Sequence, residues 1–583
     1  MRLILPLALL AAPAAATPST DLASLIERHW AWYLEQHPIL ATSLGERRWD
    51  DRLPDLSLAG MDRAAATASG LARDLRAVPD AGLSPAEQAD KAILLHLLDE
   101  QVEANRYGER MILWTSYASF HQDFTEYAGQ LPFRTAADHQ SWLKRLAAYP
   151  DYVAQGIATT RAGVAAGYAQ PCAAFGNMEN TITGLITPTP ETSRYYAPFA
   201  AARPATIPAG PWEAMQARAK SLIAGPVTAA NRRLAAYYRD DYLPHCRKTL
   251  AAEATPDGRA AYAFAIRRQT TTTLDAERIH AIGLGEVARI DAAMAVAAKR
   301  AGYPQAAAFK AALRSDRSQI VATQRDLLAA AALQAKTIDG MLPRWFSTLP
   351  RLPYGIKPIP AETAEGTTTA YYGPGNPQAG KAGTYWVNTS RLDQRPLYEL
   401  PALTAHEAVP GHHLQIALQQ ELDLKPFRRF GDGFNAFVEG WALYSERLGE
   451  EMGLYDTPAK AMGRLSYEMW RACRLVVDTG IHHKGWSKAQ AIAYMREHTA
   501  LSDANIEAEV NRYISWPGQA LGYKLGELEI VRLRQKAEAA LGDRFDLPGF
   551  HQAVLGQGSV PLGRVAAQVD AWIARVKQDA SSD

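Results

Sequence analysis

Three histidines and a glutamate stand close together in the segment TAHEAVPGHHLQ, residues 404–415. Imidazole nitrogens bind Zn²⁺, and an H-E-x-x-H motif places two histidines on one helical face so that both hold one ion. Here His412 follows His406 by six residues and His413 by seven. In a regular helix His412 would lie about 120° around from His406 and roughly 9 Å along the axis, and His413 about two turns away. An unbroken helix therefore cannot bring either pair to one zinc ion.

The residues between these histidines can change the geometry. Pro410 lacks an amide hydrogen and collides with the carbonyl of His406, four residues earlier, while Gly411 accepts backbone angles that other residues avoid. We expect a bulge of two extra residues here, which would carry His412 back beside His406. The alternative is a kinked helix with two structural histidines, and the motif alone is compatible with both.

A third candidate ligand lies in FNAFVEGWALYSERLGEEMG, which has helical periodicity. Glu439 comes 33 residues after His406 and follows the apolar pair Phe437 and Val438, as a buried carboxylate would. The remaining acidic residues are expected on the exposed face of this helix: Glu446, Glu450 and Glu451.

Composition excludes several other classes of protein. With 583 residues, 48% hydrophobic and 21% charged, the chain has the composition of a globular protein with a large core. Its 62 basic and 61 acidic residues give a net charge of +1, without a long run of lysine and arginine. This balance gives no electrostatic reason to expect nucleic acid or an anionic membrane as a partner. The sequence does not indicate an oligomeric state.

The first residues, MRLILPLALLAAPAAATPST, are typical of a secretory signal peptide. Arg2 precedes an apolar stretch, and small residues end at Ala16, so we expect cleavage after residue 16. A membrane anchor is the competing interpretation, but the apolar run is too short to span a bilayer and contains Pro6 and Pro13. No cysteine near the cleavage site could take a lipid. The sequence predicts an exported protein, most simply periplasmic, with no membrane anchor after cleavage.

The chain contains three cysteines, Cys172, Cys246 and Cys473. Three thiols cannot all pair within one chain, and Cys473 falls in a helix-like stretch. We expect Cys172 to pair with Cys246, although two buried free thiols are equally compatible with the sequence.

Most of the chain between residues 20 and 350 has apolar residues at helical spacing, which predicts a mainly α fold. Breakers such as Pro150 and the segments 188–190 and 208–211 are expected to separate the helices. We divide the chain into a signal peptide (1–16), an N-terminal helical lobe (17–275) and a catalytic helical lobe (276–583). The two lobes are also compatible with one continuous unit, residues 20–575.

Residues 367–390, TTTAYYGPGNPQAGKAGTYWVNTS, depart from this helical pattern and predict a pair of strands around a turn. The turn, beginning at Gly375, has the spacing of a phosphate loop but ends in Ala382 where a serine or threonine is required. A strand rather than a helix is expected to follow. The chain also lacks a G-x-S-x-G elbow. Nucleotide binding and serine hydrolase chemistry are therefore disfavoured.

Four segments together, HEAVPGHHLQ, FVEGWALYSE, YEMWRACRLVVDTGIHHKGWS and YISWPGQALGYKLG, resemble the bacterial domain-of-unknown-function 885 (DUF885) family over most of residues 20–575. The resemblance places the chain among gluzincin-like H-E-x-x-H metallopeptidases, whose third ligand is a glutamate on the next helix. More distantly, GKAGTYW, FVE and the GYK segment resemble thimet-oligopeptidase-like enzymes. This implies a large two-lobed helical body enclosing a deep channel, with a small β-hairpin or sheet edge beside the active site.

The resemblance implies a role for each motif residue. His406, His412 and Glu439 would hold one Zn²⁺, with His413 in reserve for His412, because the two inserted residues leave the second ligand open. Glu407 would act as general base. Tyr523 and His482 are candidate donors to the tetrahedral intermediate, with Tyr513 as a third, and Asp478 could orient a histidine. Candidate substrate-binding residues are Tyr385, Trp386, Asn388, Arg471, Arg474, Tyr513 and Gln519. The strand that carries Tyr385, Trp386 and Asn388 could bind the substrate backbone by strand addition, and Arg471, Arg474 and Lys381 could hold the C-terminal carboxylate of a peptide.

The function expected from these residues is an exported zinc metallopeptidase that hydrolyses short peptides. Two alternatives stay open: a metal-dependent amidase acting on cell-wall or non-peptide amides, and a non-catalytic member that only binds peptides.

Overall fold

The computed structural model describes residues 17–582 except 117, 177 and 366. The predicted signal peptide, residues 1–16, lies outside this part of the chain. Helices account for 70% of the residues and strands for 4%, which confirms the predicted mainly α fold. Within the described residues, no helix combines the length and apolar character that a membrane span requires.

The helices of the N-terminal half lie in the part of the chain for which helical spacing was predicted, although the segment 208–211, expected as a breaker, forms the start of one of them. Their bounds are α1 Pro18–Gln36, α2 Pro38–Ser43, α3 Leu58–Ala77, α4 Pro85–Ala104, α5 Phe120–Gln130, α6 Ala136–Ala165, α7 Met178–Thr183, α8 Ala197–Ala200, α9 Ala209–Leu222, α10 Thr228–Ala236 and α11 Gly258–Thr270. Serine or threonine side chains cap the first amides of several of them, as at Thr17, Ser84 and Thr135.

The helices of the C-terminal half carry the candidate site residues. Their bounds are α12 Ala276–Arg300, α13 Ala306–Ser315, α14 Gln324–Asp339, α15 Ala361–Ala364, α16 Leu400–Glu407, α17 His412–Glu421, α18 Pro426–Phe430, α19 Asn435–Glu451, α20 Pro458–His482, α21 Lys488–His498, α22 Asp503–Ser515, α23 Gly522–Leu541, α24 Leu547–Leu555 and α25 Leu562–Ser582.

Pro150 does not break a helix, contrary to the sequence prediction, but lies inside the 30-residue helix α6. A proline at this position removes one helical hydrogen bond. Packing of the flanking residues holds the helix together, because Tyr149 and Val153 are completely buried in an aromatic core. The carbonyl of Pro150 also accepts a hydrogen bond from Arg233 at 2.8 Å.

A three-stranded sheet, in the order β1-β3-β2, contains the two strands expected in residues 367–390. Those two are β2, Ala370–Gly373, and β3, Gly383–Val387, which pair antiparallel. The additional strand β1, Tyr354–Pro358, pairs parallel with β3. The central position of β3 sends Tyr385 to one face of the sheet and Trp386 to the other.

Apolar residues form separate cores that do not follow the predicted division of the chain. One core joins α1, α3 and α4 with α19, α23, α24 and α25, across the boundary predicted at residue 275. Another lies among α12, α20, α22 and the sheet. A third, rich in aromatic residues, belongs to α5, α6, α9 and α10. The division into lobes and the enclosed channel stay predictions.

Helices α19 and α23 touch backbone to backbone at two glycines. A methyl group on Gly440 would lie 2.5 Å from the Cα of Gly526, and one on Gly526 would lie 1.9 Å from the carbonyl oxygen of Ala436. Only glycine fits at this crossing. Because Glu439 precedes one glycine and Tyr523 lies one turn before the other, the crossing fixes the distance between these two side chains.

We expect Gly526→Ala to force α19 and α23 apart and to destabilise the protein by about 3 kcal/mol, a typical cost of overpacking. The lowered temperature of thermal unfolding measures this effect. The matched control is Gly285→Ala in the exposed face of α12, where an added methyl group meets no atom within 4 Å. Equal unfolding temperatures for the two variants would contradict the close crossing.

Candidate metal centre

The helix that carries the histidine motif is interrupted, as the proline and glycine predict. Helix α16 ends at Glu407, and α17 begins at His412. The connecting residues 408–411 include a cis peptide bond between Val409 and Pro410. The chain therefore forms two helices joined by a tight loop, instead of one helix with a bulge. The loop brings the rings of His406 and His412 to a centroid distance of 4.8 Å.

Two contacts hold the loop in this conformation. A methyl group on Gly411 would lie 1.9 Å from the carbonyl oxygen of His406, so the loop can close only with glycine. The indole N–H of Trp441, on α19, donates a hydrogen bond of 2.9 Å to the carbonyl of Pro410. The second contact ties the loop to the helix that contains Glu439.

Three candidate ligands converge at this loop. Atoms of His406, His412 and Glu439 that can bind a metal all lie within 4.8 Å of one another. Oε2 of Glu439 is 3.4 Å from Nε2 of His406 and 3.3 Å from Nε2 of His412. Ligands at zinc–donor distances of about 2.0–2.1 Å in a tetrahedral arrangement stand about 3.3 Å apart. The separations of 3.3 and 3.4 Å match those expected of ligands that share one ion.

The charge at this cluster also fits a cation. Oε2 of Glu439 is buried and forms no hydrogen bond with any residue that the structure describes. Burial alone would raise the pKa of Glu439, but the two histidines hold it well below its usual value. Burial alone would lower the pKa of His406, whereas the carboxylates of Glu439 and Glu446 raise it to about 9. Negative charge therefore surrounds the imidazoles, and a zinc ion would neutralise it.

Glu446 lies at the candidate site, although the helical pattern predicted an exposed position for it. Its side chain is 1% exposed. Nδ1–H of His406 donates to Oε1 of Glu446 at 2.8 Å, which leaves Nε2 free to bind a metal. Arg471 donates to the same carboxylate at 2.9 Å. The missed signal was the spacing from Glu439, because seven residues make two helical turns on one face.

His413 points away from the cluster and toward the sheet. Its Nδ1 lies 2.9 Å from the hydroxyl of Tyr372, and its ring packs on Tyr354 at a centroid distance of 4.5 Å. Burial lowers the pKa of His413 to about 4, so the ring is neutral at pH 7. The geometry favours His412 over His413 as the second metal ligand.

Glu407 ends α16 beside His406 and is 7% exposed. Burial raises the pKa of Tyr385, a completely buried residue of β3, and the charge of Glu407 adds to this effect. The Tyr385 hydroxyl lies 3.5 Å from that of Thr404. Tyr385 therefore lies between the sheet and α16, next to Glu407, and supports the helix rather than an open surface.

Tyr523 lies on the other side of His406, with the two rings 12° from parallel and their centroids 6.2 Å apart. The guanidinium of Arg474 covers the Tyr523 ring at 4.0 Å. Arg512, which was not among the residues predicted from the sequence, donates to the Tyr523 hydroxyl oxygen at 2.9 Å. Because this oxygen accepts a hydrogen bond from Arg512, its own proton can be donated elsewhere, as an oxyanion donor requires.

His482 does not fit the predicted role of donor. Its Nδ1 accepts the amide hydrogen of Ala252 at 3.0 Å, and its Nε2 lies 2.8 Å from the carbonyl of Tyr513, to which it donates. Both ring nitrogens are used for backbone groups, and burial lowers the pKa of His482 to about 4. Asp478 orients no histidine either, since it accepts from the Tyr262 hydroxyl and the Gly518 amide.

The predicted strand addition at Tyr385, Trp386 and Asn388 is wrong for β3, because this strand is paired on both sides. Asn388 is buried and donates to the carbonyls of Ala364, Thr367 and Thr368. Trp386 stacks with Tyr371 on the face opposite Tyr385. Lys381 donates to the carbonyls of Gly129 and Leu131, and its turn contains a bridge between Asn376 and Lys381 rather than a phosphate loop.

The remaining substrate-binding candidates are used in buried interactions. Arg474 pairs with Glu509 at 2.6 Å, and its Nε donates to the hydroxyl of Tyr513 at 3.0 Å. The side-chain oxygen of Gln519 accepts from Arg512 at 2.8 Å. Arg471 holds Glu446. Together these residues form the wall behind Tyr523 and His406. The side chains of Arg471, Arg474, Tyr513 and Gln519 are all buried, so none of them lies on an open surface.

The chain belongs to the family described as bacterial protein of unknown function (DUF885), whose model matches residues 38–569. No curated protein sequence matches the chain.

Solved structures agree with this fold. A presumed lipoprotein from Colwellia psychrerythraea is similar with a TM-score of 0.88 and 27% identity, over 96% of this chain and 100% of that one. A presumed lipoprotein of unknown function from Shewanella oneidensis has a TM-score of 0.67 and 18% identity, over 95% and 99% of the two chains. A presumed oligoendopeptidase F from Bacillus anthracis str. Ames reaches a TM-score of only 0.33 at 10% identity, over 91% and 97%, which is too low to indicate a shared fold.

We expect His412→Ala to abolish stoichiometric zinc binding and His413→Ala to retain it. The reason is that Nε2 of His412 approaches Glu439, whereas His413 bonds to the sheet. Elemental analysis of the two purified variants after dialysis against trace zinc measures the difference. If only His413→Ala lost its zinc, the second metal ligand would be His413 and not His412.

Replacement of Glu446 by glutamine should weaken zinc binding by about 10- to 100-fold, the usual effect of removing the carboxylate behind a ligating histidine. Competition with a chromogenic chelator measures the dissociation constant. Glu450→Gln on the same helix is the control, because the Glu450 side chain is 53% exposed and bonds to no histidine in the described structure. Equal zinc affinity in both variants would rule out the orienting role.

Proposed function

We propose that this protein is an exported zinc-dependent peptidase that hydrolyses short peptides. The observation that carries the proposal is the convergence of His406, His412 and Glu439, with donor separations of 3.3 and 3.4 Å around Oε2 of Glu439. Three protein ligands leave the fourth position of a tetrahedral zinc ion for water or substrate, which is the arrangement of catalytic rather than structural sites. A bound zinc ion would supply Lewis acidity for water activation and carbonyl polarisation.

The neighbouring residues supply the other elements of hydrolysis. Glu407 follows the first ligand directly and ends the helix at the cluster, so its carboxylate can take a proton from the attacking water and return it to the leaving amine. The Tyr523 hydroxyl accepts from Arg512 and can donate its proton to the developing oxyanion. Glu446 fixes the His406 tautomer. Each proton transfer thus has a residue of suitable chemistry.

Three observations support export. The N-terminal sequence is typical of a signal peptide. A disulfide links Cys172 to Cys246, and such bonds persist in oxidising compartments. Two structurally similar proteins are described as presumed lipoproteins. The short length of the substrate follows from the predicted channel, which would exclude folded proteins.

Glu407→Gln should reduce peptide hydrolysis by roughly 10³-fold, because the amide cannot act as a base, while zinc content stays at the wild-type level. Mass spectrometry of a mixed peptide pool, incubated with each protein, detects the products. Equal digestion by both would show that Glu407 is not the general base.

The same peptide pool separates this proposal from the alternatives. An active amidase would leave the peptides intact and cleave non-peptide or cell-wall amides in a parallel panel. A non-catalytic binding protein would cleave neither, and its properties would not change when a chelator removes the metal.

A further inference from the structure

A cavity of about 1160 Å³ lies outside the metal centre. Helix α14 forms one side of it, and strand β1 with the preceding segment forms the other. His413 and Val409 contribute to its wall, whereas the candidate ligands and Glu407 do not line it. The cavity is therefore next to the histidine loop but separate from the site where hydrolysis is proposed.

Strand β1 presents a free edge to this cavity. Among the residues that the structure describes, it pairs with β3 alone. The amide of Gly383 donates to the carbonyl of Pro353, and the amide of Ile359 donates to the carbonyl of Val387. The backbone N–H and C=O groups of the odd-numbered residues in 353–359 therefore point toward β3. In a parallel ladder the alternate residues, Tyr354 and Ile356, turn their backbone groups outward. An unpaired strand edge is a template for an added strand.

The space over this part of β1 is open. Tyr354, Gly355 and Ile356 are only partly buried, although they line the cavity. A methyl group added to Gly355 would meet no atom within 4 Å. The lining is largely apolar on both sides, and one of its leucines, Leu349, is 37% exposed. Exposed leucine in a concave wall is typical of a binding groove.

The charges of the lining indicate the kind of ligand. Three cationic side chains, Arg325, Lys336 and Arg351, and one carboxylate, Asp339, line the cavity. The hydroxyl of Tyr354 donates to Asp339 at 3.1 Å, and Lys336 lies 3.4 Å from the same residue. Arg351 is paired with Glu421 at 3.0 Å. Arg325 therefore supplies the positive charge of the rim that no carboxylate among the described residues pairs, and it favours an acidic group in the ligand.

We propose that this cavity is a second peptide-binding site, which takes an extended segment of alternating apolar and acidic residues as an added strand on β1. The backbone of the segment pairs with Tyr354 and Ile356, its apolar side chains enter the groove beside α14, and its carboxylates meet the cationic rim. This site needs no metal, so a test of peptide binding here is independent of the proposed peptidase activity.

Fluorescence anisotropy with a dye-labelled, end-blocked Leu-Glu-Leu-Glu-Leu probe tests the proposal. His412→Ala protein is used as the host, because the expected loss of zinc prevents both hydrolysis and binding at the metal centre. We expect saturable binding that weakens at least tenfold when the alternate amides of the probe are N-methylated, since N-methylation removes the donors for strand pairing. A Leu-Lys-Leu-Lys-Leu probe should also bind at least tenfold more weakly.

A matched pair of variants locates the site. Ala332→Trp places a large ring in the cavity, and Leu333→Trp places one on the neighbouring residue of α14, which does not line the cavity and is 71% exposed. We expect at least tenfold weaker binding for the first and less than twofold change for the second. Arg325→Glu, on the exposed rim, should weaken binding of the acidic probe in a folded protein even if Ala332→Trp is unstable.

Specific results would overturn the proposal. These are absence of saturable binding, equal affinity for the N-methylated probe, and equal affinity in the Ala332→Trp, Arg325→Glu and Leu333→Trp variants. Saturable binding of decanoate without binding of the peptide would show a site for a single-chain amphiphile instead. Binding by the wild type that disappears in His412→Ala would place the peptide at the metal centre.

Discussion

The contact between Gly411 and the carbonyl of His406 is the constraint on which the candidate site depends. A side chain at residue 411 would overlap this oxygen, so the chain can fold back only with glycine here. The turn ends one helix at Glu407 and starts the next at His412. As a result, the imidazole rings of His406 and His412 are neighbours although the residues are six positions apart along the chain. Without this turn, helical geometry would hold the rings roughly 9 Å apart along the axis.

Helix α19 organises the rest of the centre. It supplies Glu439 to the cluster, Trp441 to the loop and Glu446 to the back of His406. Its glycine crossing with α23 brings Tyr523 to the opposite face of His406. One rigid helix thus positions Glu439, fixes the tautomer of His406 and sets the approach of the Tyr523 hydroxyl. Such shared support is how proteins preorganise a site before substrate binds.

The sheet and the polar wall have structural roles that the family resemblance did not suggest. Strand β3 is central, so its inward residues pack on the histidine helices, and His413 bonds to the sheet through Tyr372. Buried arginines of α20 pair with Glu446 and Glu509. Removing a partner from such buried pairs is costly, because an unpaired charge would remain in the interior. Arg471 and Arg474 therefore hold the residues around His406 and Tyr523 in place instead of contacting solvent.

The sequence by itself determined the helical fold and the break at Pro410 and Gly411, since each depends on local spacing and residue chemistry. It singled out His406 and Glu439 as candidate ligands, but the preference for His412 over His413 came from the tertiary structure. It also indicated the pair of strands, whereas it left the pairing of Cys172 with Cys246 open beside two free thiols, and the structure contains the disulfide. Only the tertiary structure decided that Glu446 is buried, that both ring nitrogens of His482 bind backbone, and that Pro150 lies within a helix. These properties depend on which distant segments pack together, and periodicity along one segment carries no information about its partner.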